Sequence, residues 1–271
     1  MSPKRAKLQN MLKEMKSVLI AFSGGVDSTF LLKVARDALG DNVLAVIAES
    51  PTYPESEVRW AEEMCETLGV RRRTIQTDEF ADENFVSNPQ ERCYFCKKEL
   101  FSKLLQIAKE NNIPYVLDGS NFDDKSDYRP GTQAKNELGV RSPLLELGFT
   151  KQEIREHSQK LGLPTWDKPS YACLASRIPY GTRITQGILG KIREGEGFLR
   201  SLGFKQLRVR HHGNIVRIEV DKDSVAQVME EDLMDKISKK FESLGYTYVT
   251  LDLKGYRTGS MNEGLPISRP V

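Results

Sequence analysis

Residues 18–29 combine an apolar run with glycines, hydroxyl side chains and one carboxylate. Residues 18–22 are all apolar, which predicts a buried parallel strand, and apolar residues recur at helical spacing after Ser28. Gly24 and Gly25, in the turn between strand and helix, let the backbone approach a bound group closely, and the N–H groups of the helix start point to the same place. Such a turn favours a bound anion.

Asp27 lies in this turn, where its carboxylate would repel phosphates unless a divalent cation such as Mg²⁺ lay between them. The segment is not a Walker A loop, because the spacing differs and no Gly-Lys-Ser/Thr follows. Its place between a strand and a helix is where α/β folds bind ligands. We therefore predict a phosphate site assisted by Mg²⁺. The alternative is an ordinary corner whose glycines serve packing.

Four cysteines in a chain of 271 residues are too few for a disulfide scaffold, so they are expected to be thiols or metal ligands. Cys93 and Cys96 form a C-x-x-C pair without a second such pair, which excludes a four-thiolate zinc site within one chain. With Cys173 they give three ligands, which would leave one iron of a [4Fe–4S] cluster open to exogenous sulfide. A thioredoxin-type redox pair and thiols that merely pack stay open as alternatives. Cys65, on an apolar helix face, is expected to be core.

Arg208 and Arg210 alternate with apolar residues in one predicted strand, so both guanidiniums lie on one face, where they could clamp a phosphate. Solvated strand arginines are the alternative. Glu196, on the preceding helix, could be only a surface charge. Lys97, just after the C-x-x-C pair, could reach a phosphate or only solvate the start of a helix.

The order of predicted elements indicates two domains. Strands alternate with helices from residue 1 to 165, which predicts a doubly wound parallel sheet of the α/β class. Strands are predicted at 18–22, 43–48, 72–77 and 115–117, and helices at 8–15, after Ser28, and at 55–68, 97–109 and 150–161, the last with a capping box at Thr150 and Glu153. Residues 166–271 are predicted to form a smaller α+β domain, with helix 186–202, a hairpin of strands 206–211 and 214–220, helix 224–244 and strand 248–253.

The composition is that of a soluble globular protein, with 39% hydrophobic and 29% charged residues. The 40 basic and 38 acidic side chains leave a net charge of +2, without the basic surplus typical of proteins that bind nucleic acid. The longest clean apolar run, 43–48, is far too short to span a membrane, and the basic amino terminus has no apolar signal core. We therefore expect a cytoplasmic protein with neither a nucleic-acid nor a membrane partner.

The turn at residues 23–28, Ser-Gly-Gly-Val-Asp-Ser, resembles the PP-loop of the ATP pyrophosphatases, which split ATP between the α and β phosphates. With other segments it resembles the LarE family over essentially the whole chain. Those segments are Leu117-Asp118-Gly119, Asp127-Tyr128-Arg129-Pro130-Gly131, Ser176-Arg177 with Pro179-Tyr180-Gly181-Thr182, Arg208-Val209-Arg210 and residues 248–253.

LarE proteins are ATP-dependent sulfurtransferases that convert pyridinium-3,5-biscarboxylic acid mononucleotide into its thiocarboxylic form, for the nickel-pincer cofactor of lactate racemase. The resemblance implies this activity and small-molecule substrate here, with residues 1–165 as the PP-loop ATP-binding domain. For ATP and Mg²⁺ it implies Ser23, Gly24, Gly25, Asp27 and Ser28, with Arg129 near the nucleotide. For the substrate phosphate it implies Arg208 and Arg210, with Glu196 and Lys97 near the same pocket.

In one branch of the family a cysteine is consumed as the sulfur donor. Aligned on the Ser-Arg…Pro-Tyr-Gly-Thr segment, the position of that cysteine is Ala172 in this chain. At the position of Cys93, the proteins of that branch have an aromatic residue. Cys93, Cys96 and Cys173 instead resemble the three-cysteine branch, in which a [4Fe–4S] cluster delivers sulfide. Whether sulfur comes from a cluster or from the Cys173 thiolate stays open, as does the external donor.

The chemistry expected of such an enzyme has two steps. A carboxylate is an anion with a poor leaving group, so ATP first converts it into an acyl-adenylate, with Asp27 holding the metal. A sulfur nucleophile then displaces AMP. A PP-loop tRNA thiolase and a non-catalytic adenine-nucleotide-binding protein are the alternatives. Because the small domains of two chains could pair, we also predict a homo-oligomer.

Overall fold

The structure is a computed structural model that describes residues 2–126, 130–169, 173–257 and 259–263. The chain divides into two compact units, Met1–Tyr171 and Ala172–Val271. The predicted division, between residues 165 and 166, lies shortly before this one. In these described ranges, none of the helices has the length and apolar character needed to cross a membrane.

The first unit is built on a four-stranded parallel sheet, which confirms the predicted α/β class. Its strands are β1 (Val18–Ala21), β2 (Val43–Glu49), β3 (Arg71–Gln76) and β4 (Tyr115–Leu117). The spatial order is β3-β2-β1-β4, so β1 has a parallel neighbour on each side. A strand in this position is buried on both faces, which explains why its sequence is a continuous apolar run.

Helices cover both faces of this sheet. They are α1 (Pro3–Met15), α2 (Val26–Leu39), α3 (Glu55–Thr67), α4 (Glu83–Val86), α5 (Arg92–Glu110), α6 (Gly131–Glu137), α7 (Pro143–Glu146) and α8 (Lys151–Lys160). Val18 and Ile20 of β1 pack in one core with residues of α1, α2 and α3, whereas Leu19 packs in a second core with residues of α5. Because alternate residues of a strand point to opposite faces, the sheet is doubly wound, as predicted.

Helix α5 begins at Arg92, five residues before the predicted start at Lys97. The prediction was wrong here because the apolar spacing begins only near Phe101, so the first turn carries no periodic signal. Cys93 and Cys96 consequently lie inside the helix. Since residues three apart share a helix face, the two thiols are neighbours on one side of α5.

The second unit contains a three-stranded sheet of order β5-β6-β7. Its elements are α9 (Gln186–Ser201), β5 (Leu207–His212), β6 (Ile215–Val220), α10 (Val225–Val228), α11 (Glu231–Ser243) and β7 (Tyr248–Leu251). Strands β5 and β6 form the predicted antiparallel hairpin, and β6 pairs with β7 in parallel. The small α+β unit is therefore present, as predicted.

The predicted single helix over 224–244 is two helices, and this expectation was wrong. Helix α10 ends before Met229, and Glu230 has an extended backbone (φ −65°, ψ 130°) that no helix can continue through. Glu231 and Asp232 then begin α11, where carboxylates in a first turn favour a helix start.

Candidate active site

A cavity of about 300 Å³ lies at the carboxyl end of β1, beside β2 and α3. Ligands of α/β folds bind at this end of the strands. Part of its lining is apolar and suits a flat ring system; these residues include Val46, Ile47, Ala48, Val58, Ala61 and Leu100. Another part of the lining is polar and suits phosphates; these residues include Ser23, Gly25, Asp27, Lys97, Lys151 and Lys168.

The turn between β1 and α2 depends on Gly24, whose backbone has φ +66°. A Cβ at this position would lie 3.1 Å from the Ala61 Cβ and 3.2 Å from the Trp60 ring, closer than ordinary contacts. No side chain caps the start of α2 at Gly25, and Ser23 Oγ lies 3.1 Å from Ser28 Oγ. The turn is thus a tight cradle with the amino-terminal N–H groups of α2 above it.

The Asp27 carboxylate stands on the first turn of α2 with its two oxygens in different surroundings. Oδ2 accepts a hydrogen bond from Lys151 Nζ at 2.6 Å. Oδ1 is buried and, among the described residues, has no hydrogen-bond partner. A buried carboxylate oxygen without a donor is suited to a cation, so the donor set fits the predicted Mg²⁺.

Two lysines of the cavity, Lys151 and Lys168, were missed by the sequence analysis. Lys168 Nζ lies 2.9 Å from Glu57 Oε2, 3.3 Å from the carbonyl oxygen of Gly24 and 4.9 Å from the centre of the Trp60 ring. Its segment has no periodicity, so no local signal could find it. The capping box predicted at Thr150 is present and makes Lys151 the first residue of α8. Lys151 pairs with Asp27, which is 124 residues away in the sequence, so local spacing could not predict the contact.

All four cysteines are free thiols. Cys93 is exposed, and Cys96 is half-buried and donates from Sγ to Glu79 Oε1 at 3.6 Å. Cys173 is half-buried in the second unit. Burial raises the pKa of the Cys65 thiol to about 12, as expected for an inert core residue.

Within the described part of the chain, no group of three or more His, Cys, Asp or Glu side chains is arranged to hold a metal ion. The C-x-x-C pair on α5 places two thiols on one helix face. The three-cysteine cluster stays a prediction. Arg129, predicted near the nucleotide, lies outside the described residues.

The predicted phosphate clamp of the second unit is buried, so the alternative of solvated strand arginines is wrong. Arg210 makes a two-point ion pair with Glu219 of β6, at 3.1 Å from Nε and 2.9 Å from Nη2. It also donates to the Ser260 hydroxyl and to the Ser176 carbonyl oxygen. Arg208 stacks 4.9 Å from the Tyr256 ring, and burial, together with the charge of Arg177, lowers its pKa.

Glu196 is also fully buried, so the interpretation as a surface charge was wrong. Its Oε1 accepts from Arg177 Nε at 2.8 Å and its Oε2 from Arg200 Nη2 at 2.9 Å. Burial would raise the pKa of the Glu196 carboxyl, but the guanidiniums, Arg177 above all, hold it below its ordinary value. A signal was present, since Glu196 continues the apolar face formed by Leu189 and Ile192.

The arrangement in the second unit is a cluster of buried charges, three guanidiniums (Arg177, Arg208, Arg210) and two carboxylates (Glu196, Glu219). We refer to these five residues as the arginine cluster. Since the positive charges outnumber the negative ones in a desolvated region, the arginine cluster is suited to an anion. Arg177 and Glu219 had no predicted role, although Arg177 lies in a segment that carried the family resemblance.

Comparison with known proteins shows what the chain is similar to. Residues 5–111 match the NAD synthase family model. The chain is 40% identical to the pyridinium-3,5-bisthiocarboxylic acid mononucleotide synthase of Lactiplantibacillus plantarum, over 98% of this chain and 96% of that protein. It is 44% identical to an uncharacterized protein of Synechocystis sp., over 96% of this chain and 98% of that protein. It is 32% identical to an uncharacterized protein of Methanocaldococcus jannaschii, over 94% of this chain and 98% of that protein.

Proposed function

The chain belongs to the LarE family of pyridinium-3,5-bisthiocarboxylic acid mononucleotide synthases, and from this premise we propose that it is an ATP-dependent sulfurtransferase acting on the biscarboxylated pyridinium mononucleotide. It adenylates the carboxylates of this small molecule, releases pyrophosphate and inserts sulfur. The product is the thiocarboxylic acid used for nickel-pincer cofactor biosynthesis.

The observation that carries this proposal is the cavity at the end of β1. Its apolar lining suits adenine, and its polar lining, with the Gly24 turn and the start of α2, suits the triphosphate. Lys97, Lys151 and Lys168 add positive charge to the lining. Held by Asp27, a Mg²⁺ ion would neutralise part of the charge of the phosphates.

In the adenylation step, a carboxylate oxygen of the substrate attacks the α-phosphorus of ATP. The bond between the α-phosphorus and the bridging oxygen breaks, and pyrophosphate departs with that electron pair. The N–H groups at the start of α2 stabilise the charge that collects on the departing group. A sulfur nucleophile then attacks the activated carbonyl and expels AMP. The substrate carries two carboxylates, so adenylation and sulfur transfer each take place twice.

The arginine cluster supports a site for the phosphate of the pyridinium mononucleotide. Arg208 and Arg210 lie on one face of β5, and a guanidinium is the side chain best suited to a phosphate. Glu219 holds Arg210 through two bonds, and Glu196 holds Arg177. The guanidiniums are thereby oriented before a ligand arrives, which lowers the entropy cost of binding.

For sulfur delivery we propose that Cys93, Cys96 and Cys173 bind one [4Fe–4S] cluster. When bound, such a cluster supplies an iron that lacks a protein thiolate and is able to hold exogenous sulfide. The adjacent thiols on α5 support this proposal. If no cluster forms, Cys173 itself is the candidate sulfur donor. We further propose that the protein acts in the cytoplasm as a homo-oligomer. Its sulfur comes from sulfide or from another sulfur donor.

Product analysis tests the adenylation. The purified protein with ATP, Mg²⁺, the biscarboxylated mononucleotide and sulfide is expected to yield pyrophosphate and AMP, which phosphorus NMR detects. ADP and phosphate as products would contradict the proposal. If the protein instead modified tRNA and ignored the mononucleotide, it would be a tRNA thiolase. ATP binding without any turnover would indicate a nucleotide-binding protein.

A further inference from the structure

Lys151 is held at the edge of the cavity by its backbone as well as by its side chain. Thr150 and Glu153 form a capping box that fixes the first turn of α8, and Lys4 contacts the Glu153 carboxylate at 2.7 Å. The backbone N–H of Lys151 donates to Asp123 Oδ2 at 2.8 Å. The position from which the Lys151 side chain starts is therefore fixed.

From this position the Lys151 amine reaches the Asp27 carboxylate on the first turn of α2. Nζ lies 2.6 Å from Asp27 Oδ2, and both side chains line the cavity. The pair is only partly exposed, at 32% for Lys151 and 21% for Asp27. It thus joins the starts of two helices, α8 and α2, beside the turn that is proposed to bind the triphosphate.

The pairing gives the two oxygens of the Asp27 carboxylate different roles: Oδ2 binds Lys151, and Oδ1 is left for a cation. With Oδ2 bound to Lys151, the group cannot rotate freely, and the buried Oδ1 stays directed to a place where, among the described residues, no donor meets it. A carboxylate with a fixed orientation binds a cation without the entropy cost of ordering it. The ammonium also offsets part of the repulsion between Asp27 and a polyphosphate.

We propose that Lys151 is a positioning residue for Mg²⁺-dependent nucleotide binding, acting through Asp27. The inference rests on the ATP site of the proposed function. It differs from a direct lysine contact with phosphate, because its effect requires both the carboxylate and the divalent ion. It also differs from an ordinary surface ion pair, which would leave nucleotide affinity unchanged.

The test is a double-mutant cycle on the full chain, with ATP as ligand and no pyridinium substrate. The dissociation constant of ATP is measured by calorimetry with Mg²⁺ and with EDTA, for wild type, Lys151→Gln, Lys151→Arg, Asp27→Asn and the Lys151→Gln/Asp27→Asn double variant. For a charge-assisted bond we expect Lys151→Gln to weaken Mg²⁺-dependent binding roughly tenfold. Lys151→Arg restores most of it. Once Asp27 is an amide, Lys151→Gln adds little.

Lys160→Gln is the matched control, because Lys160 is exposed on the last turn of the same helix. It should leave both dissociation constants unchanged, and thermal unfolding of every variant checks the fold. An equal loss with Mg²⁺ and with EDTA, or additive losses in the cycle, would overturn the inference in favour of a direct phosphate contact. If Lys151→Gln does not weaken ATP binding at all, the contact between Lys151 and Asp27 is only a surface ion pair and the inference is wrong.

The ATP calorimetry, taken together with the product analysis of the proposed function, separates this inference from the sulfurtransferase activity. A protein that binds Mg²⁺ and ATP through Lys151 and Asp27 but leaves the pyridinium mononucleotide unchanged would overturn the sulfurtransferase activity alone. A wild-type protein whose ATP affinity is the same with Mg²⁺ and with EDTA would overturn this inference alone, because the product analysis decides the sulfurtransferase activity.

Discussion

Arg177 and Glu196 form an ion pair without exposed side-chain surface, in which Nε lies 2.8 Å from Oε1. Arg177 also donates from Nη1 to the carbonyl oxygen of Cys173 at 3.0 Å. The pair therefore joins α9 to the segment that carries the third predicted cluster ligand. The effect of this pair on the free energy of unfolding can be measured separately from its effect on substrate binding.

Removing the Glu196 carboxylate leaves buried guanidiniums uncompensated. We expect Glu196→Ala to lower the free energy of unfolding by about 3–5 kcal/mol, the usual result of breaking a buried ion pair on one side. Glu194→Ala is the matched control, since Glu194 lies on the same helix with 57% of its side chain exposed and pairs with Lys240. It should cost no more than about 1 kcal/mol. Urea unfolding measures both, and equal losses would contradict the assigned role of burial.

The same carboxyl makes stability depend on pH. Because the folded-state pKa of Glu196 lies below its ordinary 4.5, the pair contributes its full stabilisation above that value. The contribution is lost as the pH falls through the lowered folded pKa. The difference in unfolding free energy between wild type and Glu196→Gln should therefore shrink when urea unfolding is repeated from pH 7 down to pH 3. A difference that grows towards acid would reverse the assigned direction.

Local signals predicted the parallel sheet and the phosphate turn because both depend on short stretches. An apolar run followed by two glycines fixes β1, the turn and the start of α2 within about a dozen residues. The partner of Asp27 was not predictable in this way. Lys151 reaches it only after strands and helices 124 residues apart have packed, and sequence spacing carries no record of that contact.

The substrate side shows a similar limit. Strand alternation correctly placed Arg208 and Arg210 on one face, but it could not tell a solvated face from a buried one. Burial depends on the cross-strand neighbour Glu219 and on Ser260, a residue from the end of the chain. The burial of Glu196, in contrast, was predictable from the sequence. A carboxylate on an apolar helix face indicates a buried group that is paired with a positive charge.

The two loop glycines should respond differently to substitution. Gly24 has φ +66°, and a Cβ there would crowd Ala61, whereas Gly25 has φ −83° and an ordinary contact with the Ser23 hydroxyl. Gly24→Ala is expected to cost at least about 1–2 kcal/mol of stability and to weaken ATP binding. Gly25→Ala should leave the fold nearly unchanged. Thermal unfolding and ATP calorimetry compare them, and equal destabilisation would refute the role of backbone conformation.

The arginines of β5 should separate binding from stability. Arg208→Lys keeps the charge but loses the planar fork, so we expect substrate affinity to fall by roughly 1.5–3 kcal/mol while ATP affinity stays unchanged. Arg210→Ala leaves Glu219 buried without its two-point partner, so it should also lower stability by several kcal/mol, about 3–5. Calorimetry with the pyridinium mononucleotide, and separately with ATP, provides the readout. Parallel loss of both affinities in a folded Arg208→Lys variant would contradict a phosphate-binding role.

The cysteines distinguish a cluster from a sacrificial thiol. Anaerobic reconstitution with iron and sulfide should give about four irons per chain and a broad absorption near 400 nm. Cys93→Ala, Cys96→Ala and Cys173→Ala should each abolish both the cluster and sulfur transfer while sparing ATP binding. Cys65→Ala is the control, because that buried thiol, with its pKa raised to about 12, lies in the core of the first unit.

A different pattern would reject the cluster. If Cys93→Ala and Cys96→Ala remain active while Cys173→Ala is inactive, sulfur comes from the Cys173 side chain itself. Mass spectrometry after turnover should then find the peptide containing Cys173 lighter by one H₂S, since the donated sulfur leaves dehydroalanine behind. An unchanged peptide mass together with stoichiometric iron would support the cluster instead, because only then is the thiol a ligand that survives each turnover.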